Sequence, residues 1–235
     1  MYKSKIIVIF ITLTFVLFGI SQFLANETIC RYTRAFILPL FALLYFVSVK
    51  RKTLFFILFL VSYSVSDLME LSDGFIPYFT YYFLGNSLYV LAYVFLLLEI
   101  CKSVSLFHVI KNYKVHVVVL VALNIYIVYV LQIIINPYTE YGNQYYLELT
   151  YNIIMLLLLS GALMNYFYRD NRKSLFLFIG SLCIVFSEVI NVAYLYIAET
   201  NTLNFLSTSL AVLAFYFYYQ QSKLENSEAS RLVTQ

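Results

Sequence analysis

The chain is 235 residues long, 63% hydrophobic and 11% charged, with a mean hydropathy of +0.84. A soluble domain carries about 25% charged and about 45–50% apolar residues, so a water-soluble globule, a disordered chain, collagen and a disulfide scaffold are excluded. The net charge of +3 is too small to call for a nucleic-acid partner.

In chain order, the apolar run from Ile6 to Leu24 follows a start carrying Lys3 and Lys5. It is longer than a signal-peptide core, and Phe23 before Ala25 is a poor cleavage site, so it reads as a retained transmembrane helix. A span needs roughly 20 apolar residues. Eight segments meet that need: 5–24, 34–49, 53–71, 76–100, 115–135, 146–167, 174–198 and 203–219, the second and last being short. Ser103–Lys114 is long enough for a brief interfacial helix. The expected fold is an all-α polytopic transmembrane bundle forming one integral membrane domain. Its first four-helix half covers 1–100, its second 115–221, and 222–235 form a cytoplasmic tail.

Basic residues set the orientation. With an inside N-terminus, Lys3, Lys5, Lys50, Arg51, Lys52, Lys102, Lys111, Lys114, Arg169, Arg172, Lys173, Lys223 and Arg231 all face inward. Arg31 and Arg34 face outward, and the outer loops hold Glu27, Asp73, Glu140, Glu148 and Glu199. This is the positive-inside pattern, with both termini cytoplasmic. A multi-pass protein of a bacterial inner membrane is expected. Tyrosines at 78–82, 138–146 and 216–219 lie at span ends, where most read as an aromatic belt.

Cys30, Cys101 and Cys183 are isolated, and His108 and His116 have no ligand cluster, so neither a disulfide framework nor a metal site is indicated.

A shift of 121 residues aligns Arg51-Lys52-Thr53-Leu54-Phe55 with Arg172-Lys173-Ser174-Leu175-Phe176, Tyr45-Phe46 with Tyr166-Phe167, and Ser66-Asp67 with Ser187-Glu188. A shift of one residue more aligns Ser87 to Ala92 with Ser209 to Ala214. Chance matches leucines between apolar helices more readily than polar positions. A parallel 4+4 repeat would relate the halves by an axis along the membrane normal, with a site near their interface.

Asp67 and Glu188 then share one depth, in spans 3 and 7. An acid at a helix centre costs roughly 2.5–3.5 kcal/mol on insertion scales. Helical spacing puts Tyr63, Ser64 and Glu70 on the face of Asp67, and Ser181 and Asn191 on that of Glu188, with Tyr194 toward its edge. Span 4 carries Asn86, Tyr89 and Tyr93 along one stripe. Polar glue between helices accounts for the Ser, Asn and Tyr residues. It accounts less well for two acids with no Lys or Arg at their depth. Two nearby carboxylates without a cation do not both ionise, and one proton donor beside one carboxylate is an acid/base arrangement. Glu99, near Lys102, reads as an interfacial charge. Arg34 begins span 2, where it either snorkels to the interface or anchors a lipid phosphate.

These residues resemble a family. Thr33-Arg34-Ala35-Phe36-Ile37-Leu38-Pro39-Leu40 looks like its Thr-Lys-Pro-Leu-x-x-Pro-Leu opening of the second span, and Ser66-Asp67-Leu68 stands where its Gly-Asp-Leu occurs. Gly85, Tyr89, Ala92 and Tyr93 follow its Gly-Leu-x-x-Phe-x-x-Ala-His spacing. Gly180 to Glu188 has the register of its Gly-Ala-Leu-Leu-Phe-Val-x-Ser-Asp motif. The chain is thus similar to the YhhN or lysoplasmalogenase-like family of eight-span membrane proteins, over roughly 33–190. Arg34 replaces a lysine, Ala35 a proline, Tyr93 a histidine and Glu188 an aspartate.

The resemblance implies hydrolysis of the vinyl ether of a lysoplasmalogen, a lysophospholipid drawn from the membrane, to a fatty aldehyde and a glycerophospho head group. Asp67 and Glu188 would be catalytic, with Arg34, Tyr63, Glu70, Asn86, Tyr93 and Asn191 binding substrate and no metal or organic cofactor required. Two carboxylates suit an oxocarbenium intermediate, as in glycosidases. A proton-coupled or small-solute transporter and a non-catalytic member of the family are the alternatives. Span 7 has no interior lysine for a retinal Schiff base.

Overall fold

The computed structural model describes residues 2–72, 74–104, 111–139 and 142–224. Half of the expected interfacial segment 103–114 (residues 105–110, His108 included), most of the expected tail 222–235, Asp73 and Glu140 lie outside the described residues. Among the described residues the chain forms eight long helices: α1 (Tyr2–Phe23), α2 (Glu27–Ser48), α3 (Leu54–Met69), α4 (Tyr78–Cys101), α5 (Lys114–Ile135), α6 (Gly142–Arg169), α7 (Arg172–Tyr196) and α8 (Asn201–Lys223). Each predicted span falls on one of them.

Seven, α1 to α7, are long and apolar enough to cross a membrane, α3 counted with the 3₁₀ turn Glu70–Ser72 and α5 with the turn Asn136–Tyr138. Outward faces carry exposed large apolar side chains, such as Ile9, Phe10, Leu13 and Leu17 on α1 and Val118, Ile125 and Ile133 on α5. A soluble monomer does not expose so much apolar surface, and an integral multi-pass membrane protein does. α8 is long enough but more polar, because Asn204, Ser207, Thr208 and Gln221 are turned inward and buried.

α2 starts seven residues before its predicted span. Asn26 caps it, accepting from the Ile29 backbone N–H at 3.1 Å, which lets the polar stretch Glu27 to Thr33 form the first two turns. Arg34 is therefore the eighth residue of the helix, not its first. At 1.5 Å per residue that carries it about 10 Å inward.

The helices close a ring in the order α2, α3, α4, α6, α7, α8 and back to α2, with α1 packed on α2 and α8 and α5 on α6 and α7. Small residues set the closest approaches. A Cβ added at Gly180 would lie 2.7 Å from the Tyr218 ring and 3.2 Å from the Ala214 carbonyl, so α7 and α8 meet there because glycine has no side chain. Ser66 Oγ donates to the Gly85 carbonyl between α3 and α4 at 2.7 Å. Ser187 Oγ donates to the Ser207 carbonyl between α7 and α8 at 2.7 Å, and Ser207 Oγ returns a bond to the Ser187 carbonyl at 3.0 Å. Interhelical hydrogen bonds of this kind contribute about 0.6 kcal/mol each within a membrane. The Phe56, Phe59, Tyr63, Phe215 and Tyr218 rings fill the centre below the site.

Candidate functional site

The ring encloses a cavity of about 480 Å³ at the end where α3 and α7 finish and α2, α4, α6 and α8 begin. Arg34, Tyr63, Asp67, Glu70, Asn86, Tyr89, Glu188 and Asn191 all line it. Residues from α2, α3, α4 and α7 thus reach one space, as their polar faces require where lipid offers no hydrogen bonds.

The two expected acids stand on opposite helices of the ring, and tyrosines hold both. Tyr89 Oη donates to Asp67 Oδ1 at 2.7 Å. Glu188 Oε1 accepts from Tyr93 Oη at 2.6 Å and from Tyr63 Oη at 3.3 Å. The Tyr63 and Tyr89 rings meet edge to face with centroids 4.9 Å apart. Asp67 is 7% exposed, and its Oδ2 is buried without a hydrogen-bond partner; Thr208 Oγ1, on the cavity wall at α8, is in the same condition. Buried polar atoms normally have partners, and of the four described side chains that leave one unpartnered, Ser48, Ser64, Asp67 and Thr208, the last two belong to the cavity wall.

Tyr93 is fully buried, and its ring packs against Tyr151. It stands behind Glu188 rather than in the cavity wall, so it positions the acid. Ser64 and Ser181 are buried within the helix packing, Ser181 receiving the Tyr218 hydroxyl at 3.3 Å.

The expectation that no cation shares the depth of the acids is corrected. Because α2 begins at Glu27, Arg34 reaches the cavity instead of opening the helix at the interface. Its Nη1 donates to Asn204 Oδ1 at 3.0 Å and its Nη2 to Asn191 Oδ1 at 3.4 Å, while Nε lies 3.8 Å from Glu70 Oε1. A supporting network fixes that arrangement. Asn204 Nδ2 donates to Gln22 Oε1 at 2.7 Å, Gln22 Nε2 donates to Asn201 Oδ1 at 2.8 Å, and Cys30 Sγ donates to the same Gln22 oxygen at 2.8 Å. With its nitrogen taken by Gln22, Asn204 must turn its oxygen to the guanidinium.

Other participants are not evident from the sequence. Glu148, expected in an outer loop, is the seventh residue of α6 and lines the cavity, accepting from Tyr82 Oη. The helix extends past its predicted start and carries the acid inward. Tyr81 and Tyr82 line the cavity instead of forming a belt, Tyr78 lines its rim while remaining exposed, and Tyr218 is buried in the core. Tyr138, Tyr146 and Tyr216 are exposed, as a belt requires. Alternate apolar and aromatic residues at helix ends carry no signal separating lipid-facing from cavity-facing tyrosines. The cavity holds four acids, Asp67, Glu70, Glu148 and Glu188, and Arg34. Among the described residues, no three His, Cys, Asp or Glu side chains are grouped to hold a metal ion.

No family model matches the chain, and no curated protein or solved structure matches it.

Proposed function

We propose that the chain is an intramembrane hydrolase of the lysoplasmalogenase-like type, cleaving the vinyl ether of a lysophospholipid to a fatty aldehyde and a glycerophospho head group. The observation that carries this reading is the meeting of Asp67, Glu188 and Arg34 on the wall of one cavity.

Vinyl ether hydrolysis starts with proton transfer to the outer vinyl carbon, giving an oxocarbenium ion. Water adds to the cationic carbon, and the resulting hemiacetal collapses to aldehyde and alcohol. A positioned acid and a carboxylate facing the developing cation perform this chemistry. Glu188 Oε1 accepts two tyrosine hydroxyls, an arrangement suited to a carboxylate. Asp67 has one oxygen on Tyr89 and the other unpartnered, so Oδ2 is the atom available to carry a proton and deliver it. Arg34, held in place by Asn191 and Asn204, suits a phosphate diester.

In this reading α8 is an eighth span, both termini are cytoplasmic as the basic residues favour, and the two halves are related as a parallel repeat in a bacterial inner membrane. The neighbour order supports the repeat, because advancing each ring helix by one half maps the sequence α2, α3, α4 onto α6, α7, α8. The hydrogen bonds Ser66 to Gly85 and Ser187 to Ser207 join positions equivalent in the aligned halves.

The test is release of long-chain aldehyde from lysoplasmenylethanolamine by the purified chain in lipid vesicles. Release above that of a doubly substituted Asp67→Asn, Glu188→Gln chain supports the reading. Equal release rejects it, and proton-driven solute flux without chemical change in the same vesicles would favour a carrier.

A further inference from the structure

Glu148 and the tyrosines around it have no part in the chemistry above, yet they form a distinct wall of the same cavity. On the ring, α6 is opposite α2, so Glu148 faces the space from the side away from Arg34. The Glu148 carboxyl is anchored by Tyr82 Oη. The Tyr78 and Tyr82 ring centroids are 5.8 Å apart, and Tyr196, at the end of α7, adds a third ring to the wall. Tyr196 is itself braced by Tyr138 at 5.2 Å. Aromatic faces and a carboxylate around an opening attract an organic cation, because ring quadrupole and full charge act in the same direction. The opposite wall carries the fixed positive charge of Arg34. Asp67 and Thr208 line the same space, and each keeps a buried oxygen, Oδ2 and Oγ1, without a hydrogen-bond partner.

We propose that Glu148, with Tyr78, Tyr82 and Tyr196, is an alkylammonium subsite, so that the cavity takes a zwitterionic head group with its phosphate toward Arg34 and its ammonium toward Glu148. This rests on the lysophospholipid reading for the identity of the ligand, but it requires no bond to be cleaved. Glycerol head groups present no cation to this wall and gain nothing from it.

The experiment measures equilibrium binding of saturated 1-O-alkyl lysophospholipids, which have no vinyl ether, to the full chain in nanodiscs. The phosphocholine and phosphoglycerol forms are compared. The wild type is expected to bind the choline form about tenfold tighter, and Glu148→Gln to bring the two near parity while leaving the glycerol form unchanged. Tyr196→Leu is expected to reduce the preference about threefold to fivefold, in line with one cation–π contact. It also tests the wall if the Glu148 variant does not fold, and retained glycerol-form binding verifies folding. Equal binding of both forms by the wild type, no binding of either, or a preference untouched by both variants would overturn the subsite. A choline preference without aldehyde release would leave the subsite standing and reject hydrolysis alone.

Discussion

Tyr63 spans the cavity between the two acids: it sits one turn before Asp67 on α3, and its hydroxyl donates to Glu188 on α7 at 3.3 Å. The acid of α7 is thus held by a side chain one turn from the acid of α3. Tyr93 completes the hold on Glu188, and Tyr89 serves Asp67.

Loss of those hydroxyls should weaken catalysis without removing either acid. A hydrogen bond to a charged group contributes about 1.5–3 kcal/mol. Tyr93→Phe is expected to lower kcat/KM for aldehyde release by about tenfold to a hundredfold, and Tyr63→Phe, whose bond is longer, by less. Steady-state kinetics in vesicles measure both, and an unaltered rate in both variants would remove the tyrosines from the mechanism.

The acids themselves should show larger effects. Asp67→Asn and Glu188→Gln keep side-chain volume while removing proton transfer and charge. General acid and base contributions are about 10²–10⁴ in rate, so each variant is expected to lose at least about a hundredfold in aldehyde release. Lysolipid binding should persist, which separates chemistry from recognition.

Gln22 touches no part of the cavity but fixes Asn204, and through it Arg34. Gln22→Leu leaves buried amide groups unsatisfied at a cost of about 1–3 kcal/mol. The expected outcome is a lower Tm together with a several-fold higher KM and a kcat within about twofold of wild type, because binding by Arg34 is loosened while the acids are untouched. A fall in Tm with KM unchanged would make the network purely structural.

Gly180→Ala should act on stability at the α7–α8 contact, where the added methyl would meet Tyr218 at 2.7 Å. Overpacking of this size costs about 1–3 kcal/mol. Replacing Tyr218 with leucine in the same chain should recover part of the loss, as measured by denaturant unfolding of the purified protein.

The helices were legible because crossing length and hydropathy are local properties: each predicted span lies on a helix, and faults are confined to ends such as Glu27 and Gly142. Asp67, Glu188, Asn86 and Asn191 were legible as site candidates because acids and amides within apolar runs need partners. Glu148 and Asn204 were not, since Glu148 was assigned to an outer loop and one amide near the start of an apolar run does not show which neighbour it meets. Arg34 was recognised as a candidate but misplaced by the same error.

The sequence by itself determined that the chain is an all-helical membrane bundle with acids inside two of its apolar runs, because periodicity and burial cost are written in residue type. Only the tertiary structure decided that Arg34 and Glu148 enter from opposite sides of the cavity that those acids line, and that tyrosines hold each carboxyl. Those relationships depend on the ring order of α2, α3, α4, α6, α7 and α8 and on where each helix begins, and both are set by packing between segments far apart in the chain.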